Sequence, residues 1–405
     1  MRAPFPRLAA LLPALLLTST GLAAAPDPSD WEAVLDEARG QTVYWYAWAG
    51  EQRTNDYIDW VAGRVEEQFD IELTHVKVGD TAEAVSRVLA EKQADNHDDG
   101  NVDLIWINGE NFATMKANDL LFGPFAEALP NFALTHPEHN PEVVTDFTLP
   151  TEGYESPWGR AQITFYYDSD EVAAPPQDIQ ALLEWAEANP GRFTYPRIPD
   201  FTGSTFLKQA LIALTDEDDA LYAPVDESDF AAITAPLWEY LDALHPHLWR
   251  SGRQFPATGP EMRSLMGDGE LAMAFTFTPS EPAAAVADFE LPPSTRSYVP
   301  QDGTLGNVHF VAIPFNSPHK AGAMVVADFL LSPEAQAHKQ DLAVWGDRTV
   351  LDVARLDDDS RALFTLDESN PAMLPAGALQ QTLPEPHPSW MTALQDAWQA
   401  RYIGN

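Results

Sequence analysis

The stretch TVYWYAWAG (42–50) sets the reading of the chain. Four of its nine residues are aromatic, and TVYWYAW is apolar on both faces. A strand covered by helices on both sides of a parallel sheet has this composition. The Ala-Gly that follows marks a turn. Downstream, RTNDYIDWVAGRVEEQF (53–69) places Tyr57, Trp60, Val61, Arg64 and Val65 at helical spacing. IELTHVKV (71–78) alternates as a strand. DTAEAVSRVLAEKQA (80–94) reads as a helix with Asp80 at the N-cap and Glu83 three residues on, a capping box. NVDLIWIN (101–108) is a third strand, with a short helix starting near Glu110. Strand alternating with helix predicts an open α/β sheet.

Ligands of such sheets sit beyond the carboxyl ends of the strands. Those ends here are Trp48-Ala49-Gly50, Gly79-Asp80-Thr81 and Asn108-Gly109-Glu110-Asn111. Tyr44 and Trp45, interior to the first strand, are assigned to the core. Trp48, at its end, is assigned to the ligand.

The chain opens with a basic start (Arg2, Arg7), an apolar run LAALLPALLL (8–17) and small residues GLAAA (21–25). That is the pattern of a cleaved export signal over residues 1–25, too short for the ~20 residues of a membrane span. No Cys follows it, so a lipid anchor is excluded and a soluble periplasmic protein is expected. Without disulfides the protein must rely on its core. The net charge of −39 disfavours nucleic acid and anionic membrane surfaces as partners.

After a polar loop from 151, ITFYYD (163–168) reads as a strand, ALLEWAEANP (181–190) as a helix and RFTYP (192–196) as a short strand. A Thr/Gly/Ser turn leads into the helix STFLKQALIAL (204–214). Further strands are ELAMAFTFT (270–278) and NVHFVAIP (307–314). In LSPEAQ (331–336), Ser332 caps a helix whose first turn holds Pro333. Trp390, Leu394 and Trp398 in PSWMTALQDAWQARYI (388–403) give an amphipathic final helix.

Several of these segments together resemble a known family. VDLIWINGENF (102–112), ITFYYDSD (163–170), GELAMAFTFTPSE (269–281) and VADFLLSPEAQ (326–336) are similar to the extracytoplasmic solute-binding proteins of ABC importers. LLFGPFA (120–126), TEGYESPWG (151–159), PGRFTYP (190–196) and DFTGSTFL (200–207) place the resemblance in the YnjB-type branch. It implies a two-lobe, type II periplasmic-binding-protein-like α/β fold, each lobe an open, mostly parallel sheet flanked by helices. Lobe 1 would comprise 26–160 with 303–405, and lobe 2 161–302, with a hinge at 161–168 and 300–307 and a C-terminal helix bracing both. A small solute would be held between the lobes and passed to an ABC permease, by a monomer without cofactor, metal or enzymatic activity.

The site expected between the lobes has three sides. Trp48, Trp158 and Trp345 would stack on a planar or cationic group. Asp80, Thr81, Asn108 and Glu110 supply polar groups, with Gly50 and Gly109 allowing close backbone approach. Acids at a helix N-terminus also cap it, a purely structural role. Thr202 and Ser204 lie in DFTGSTF beside open amides that suit an anion, although Ser204 could equally be an N-cap. Thr276 and Thr278 end their strand similarly, and Asn307 adds the return strand. An organic cation, thiamine- or polyamine-like, is the first solute expected, and a small anion or metal complex the second.

Two other functions compete. A periplasmic metal-binding protein would use HPEH (136–139) or HPH (245–247), both read as exposed loops. A secreted hydrolase would need paired carboxylates about 5–10 Å apart. The chain carries no GxSxG, HExxH or Walker motif, and no Cys nucleophile.

Overall fold

The structure, a computed structural model, describes residues 26–364, 370–374, 378–379 and 382–403. The export signal expected over 1–25 lies outside them. Strand β1 (Thr42–Trp48) runs parallel to β2 (Glu72–Val78), from Thr42 opposite Glu72 to Trp48 opposite Val78. On its other side it is parallel to β3 (Leu104–Ile107). The connecting helices are Gln52–Phe69 and Thr81–Gln93, the latter with the expected Asp80/Glu83 capping box. Val43, Trp45 and Ala47 are buried, and the helix Lys320–Leu330 packs so closely that a Cβ on Gly322 would meet the Val43 side chain at 2.8 Å.

Tyr44 corrects the reading of β1: it is 40% exposed. The strand alternates, and Tyr44, Tyr46 and Trp48 share its other face. Tyr46 is sheltered beside Arg87 and Glu91 of the Thr81–Gln93 helix, whereas Tyr44, nearer the strand's start, reaches solvent.

A short hairpin, β4 (Thr145–Asp146) with β5 (Leu149–Pro150), precedes β6 (Glu155–Gln162). Across the single residue Ile163, β6 continues into β7 (Thr164–Asp168). Then come β8 (Met273–Thr276), β9 (Thr295–Tyr298), β10 (Thr304–Ala312) and β11 (Thr382–Leu383). The larger sheet has the order β11-β10-β3-β1-β2, with β6 also on β10. The smaller is β8-β7-β9, antiparallel throughout. The two-lobed α/β class is as expected, but among the described residues parallel pairs are confined to the larger sheet, as β1–β2, β1–β3 and β10–β11. The reason lies in the crossing: β7 enters the second lobe from β6 and β9 leaves it toward β10, so these neighbours run in opposite directions. RFTYP (192–196) forms no strand. Its Arg192 and Phe193 carbonyls accept hydrogen bonds from the Ala272 and Trp249 amides (2.9 and 2.8 Å).

Two hydrophobic cores result. One holds Trp45, Phe112, Phe310 and Met324; the other holds Phe165, Phe206, Leu237 and Phe275. Trp390, Leu394 and Trp398 of the final helix (Pro388–Tyr402) lie in the second core, where the Trp398 indole N–H donates to the Tyr195 hydroxyl (2.8 Å). The same helix touches Gly109–Ala117 of the first lobe.

The residues 201–203, expected as a turn, belong to the helix Phe201–Leu214, which Asp200 caps by accepting from the Gly203 amide (3.1 Å). Gly203 serves packing, since a Cβ there would meet the Pro196 carbonyl oxygen at 2.1 Å. Gly203→Ala is expected to lose ~1–3 kcal/mol in urea unfolding, as overpacked sites do. Gly63→Ala, with open space at an exposed helical position, is expected to gain ~0.5–1 kcal/mol.

Candidate functional site

The carboxyl ends of β1, β2 and β3 open on a cleft of about 510 Å³ between the two cores. Of the expected residues, Trp48, Asp80, Thr81, Asn108, Glu110, Thr202, Thr276, Thr278, Asn307 and Trp345 line it. Four do not. Gly50 lies beneath the Trp48 indole, where a Cβ would come within 2.3 Å of the ring, so it sets the ring's position. Gly109 is buried at φ +58, its amide donating to Asp146 (2.6 Å) and its α-carbon facing the Phe147 ring. Ser204 is inside the helix, accepting from Gln395 (3.0 Å).

Trp158 is the fourth, with 0% exposure. Its ring is 4.8 Å from Trp106, 5.3 Å from Trp45 and 5.5 Å from Trp345, centroid to centroid. It is the core beneath the cleft floor. Trp106 and His309, which the sequence reading passed over, form that floor with Trp48 and Trp345. Trp106 sits in a short apolar strand, and its outward turn follows only from β3 being flanked by β1 and β10.

The charges fall into two groups. Arg263, overlooked as the lone base in its helix Gly259–Gly267, is 9% exposed and meets Glu281 (2.7 Å), Glu51 (3.0 Å) and Glu290 (3.1 Å). Burial opposes its charge, but Glu281 and Glu51 outweigh that and hold the guanidinium ionised. Glu51 belongs to the first lobe and Arg263 to the second, so the cluster spans the cleft. Arg53 spans it again, reaching Asp288 and the Leu342 carbonyl.

The second group is three cleft-lining acids with no ion pair among the described residues: Asp80, Glu110 and Asp200. Each stands at the start of a helix that opens on the cleft. Burial pushes Glu110 up to about 7, against a hydrogen bond to its own amide and the field of Lys208. Burial pushes Asp200 up to about 6, against bonds from the Gly203 and Thr202 amides. The anion-binding side expected at DFTGSTF is therefore closed, because Asp200 already occupies the helix N-terminus. Thr81 donates to the Trp106 carbonyl (3.0 Å) and Thr276 to Glu281. Two acceptors on the wall, Glu110 Oε2 and Asn307 Oδ1, are buried with no hydrogen-bond donor among the described residues.

The other sequence candidates do not converge. His136 and His139 flank Glu138 at the surface, while His245 is buried against the Tyr195 hydroxyl (2.6 Å) rather than exposed. Among the described residues no group of three or more His, Asp or Glu could hold a metal ion, and no helix is long and apolar enough to cross a membrane.

Two cores on either side of an aromatic and acidic cleft are the arrangement of the periplasmic-binding-protein fold, and solved structures share it. A putative spermidine/putrescine ABC transporter protein from Listeria monocytogenes superposes with a TM-score of 0.62 at 15% identity, over 89% of this chain and 98% of that one. AfuA from Actinobacillus pleuropneumoniae, solved with fructose-6-phosphate, gives 0.61 at 14%, over 90% and 99%. Residues 60–366 match the model of the bacterial extracellular solute-binding proteins, and the chain belongs to that family. It is 47% identical over 378 residues to protein YnjB of Escherichia coli K12, covering 93% of this chain and 95% of that one. It is thus an extracytoplasmic solute-binding protein of ABC-type import, from a family that transports rather than catalyses.

Trp158→Ala is expected to lose ~3–5 kcal/mol in urea unfolding, as buried Trp truncations do. A variant with normal stability and impaired solute binding would return Trp158 to the ligand.

Proposed function

We propose that the cleft captures a small organic cation, thiamine-like or polyamine-like, and delivers it to an ABC permease without chemical change. One observation carries this reading: the helix N-termini that would attract an anion are closed by the protein's own Asp80, Glu110 and Asp200, which have no ion pair among the described residues. Over a floor of Trp48, Trp106 and Trp345, those carboxylates suit a cation. Glu110 Oε2 and Asn307 Oδ1 accept N–H groups from it. An unpartnered acceptor in a buried wall costs ~1–3 kcal/mol, which a donor on the solute recovers.

The lobes are taken as 26–160 with 303–405, and 161–302, with the final helix contributing its aromatic face to the second. Closure about the crossings buries the solute, and ion pairs from Arg263 and Arg53 hold the lobes together. The protein acts as a monomer with no cofactor, metal or nucleic acid, and residues 1–25 direct export and are removed. The acidic surface supports the exclusion of nucleic acid.

Titration calorimetry tests the reading. Thiamine or putrescine should bind while fructose 6-phosphate and other phosphorylated solutes give no heat, and the reverse order would overturn it. Trp48→Ala should weaken cation binding by ~0.5–2 kcal/mol, roughly 2- to 30-fold, with an unchanged unfolding midpoint.

A further inference from the structure

We propose that Glu110 is the residue that selects the solute, and that it does so by exchanging a proton for it. In the empty cleft at neutral pH the Glu110 carboxyl is part-protonated; the entering cation displaces the proton to solvent and takes its place beside Oε2. The inference rests on the organic-cation reading and adds the identity of the selecting group and the ion released.

The geometry singles out this side chain. Glu110 stands in the first turn of Gly109–Ala117 and lines the cleft. Its Oε1 accepts from the Asn111 side chain (3.1 Å), while Oε2 is buried with no donor among the described residues. Asp80 and Asp200 differ, because each caps its helix through an amide two or three residues on, whereas Glu110 takes bonds from its own amide and the Asn111 side chain and leaves Oε2 without one. A buried carboxylate oxygen without a donor is costly when ionised, and either a proton or a cation relieves that cost.

The surroundings leave Glu110 poised between the two. Lys208, from the helix Phe201–Leu214, faces it but is already paired with Glu385 (2.6 Å) in a fully buried bridge. Asp80, at the cap of the Thr81–Gln93 helix, and Glu385 oppose its ionisation. Asp146 of β4, bound to the Gly109 amide, is itself driven well above the carboxylate range, chiefly by burial. The final helix, packed on the same element, presents neutral Met391 and Gln395 to the cleft. Burial decides the balance, and Glu110 titrates at about 7.

The sign follows. Cation binding requires the ionised form, so affinity is full above pH 7 and falls as the pH drops through it. Between pH 8 and pH 6 the ionised fraction falls about tenfold for a group titrating at 7, and the dissociation constant should rise by about tenfold. Asp200, titrating at about 6, steepens only the acid end.

The test is calorimetry of the full mature protein with putrescine and thiamine, in buffers of different ionisation enthalpy. At pH 7 the wild type should release about half a proton per solute bound, and almost none at pH 8.5. Glu110→Gln should bind more weakly at pH 8 and release no proton at pH 7, with affinity nearly flat between pH 6.5 and 8. Asp200→Asn should keep the release at pH 7. Binding by the wild type without proton release overturns the proposal while leaving the cation reading intact, a result that does not depend on any variant folding. Retained release in Glu110→Gln also overturns it. If neither cation binds, the cation reading falls and this inference with it.

Discussion

The antiparallel pairing of β6 with β10 carries the rest of the architecture. It runs from Glu155 opposite Ala312 to Gln162 opposite Gly306, with a register shift at His309/Phe310. Because β10 also pairs with β3, these strands are fixed to the first sheet, and immediately beyond them the chain passes into the second core. The passage is closed by buried polar groups: the Thr304 hydroxyl donates to the Ile163 carbonyl (2.7 Å), and the Leu305 amide to Gln209 (2.7 Å). Buried polar groups of this kind must be satisfied in one arrangement. The two cores are thereby joined at a crossing whose buried polar groups are satisfied.

Charge shapes the cleft that this crossing leaves open. The chain has 23 Lys and Arg against 62 Asp and Glu. Several of its cations are buried against acids: Lys208 with Glu385, Lys339 with Asp347, and Arg263 with three glutamates. Buried pairs add little net stability compared with apolar packing, but losing one partner is costly, so they hold geometry. Their placement balances the charge beneath Trp345, where Lys339 meets Asp347, and leaves the Arg263 side, one cation against three glutamates, acidic. Asp80, Glu110 and Asp200 add acids that have no ion pair among the described residues, on the side where helix N-termini would otherwise attract anions. The electrostatic character of the cleft is therefore local, and the net charge of the chain does not by itself set it.

Much of the first lobe was legible because its signals are local. The Asp80/Glu83 capping box, the helical spacing from Tyr57 to Val65 and the strand-end glycines all act within a few residues. The same local logic placed Trp48, Asp80 and Glu110 at the mouth of a sheet. Where it failed, distant chain was responsible. Trp158 looks like a ligand-stacking residue beside Pro157, yet Trp45, Trp106 and Trp345 enclose it. Tyr44 looks like core, yet the helix beside Tyr46 stops short of it. Arg263 carries no sequence mark, since its partners lie at residues 51, 281 and 290.

The sequence alone determined the alternation of strand and helix and the strand ends that open on the cleft, because hydrophobic period, capping and turn chemistry are properties of short segments; the two-lobe class and the family were legible only through the likeness of its motifs to known solute-binding proteins. The tertiary structure alone decided the direction of the second sheet, the burial of Trp158, the helix start at Phe201 that shuts the expected anion site, and which acids have no ion pair among the described residues. Those depend on burial and on charges brought together from far apart in the chain, where desolvation and Coulomb interaction are set by distance in space.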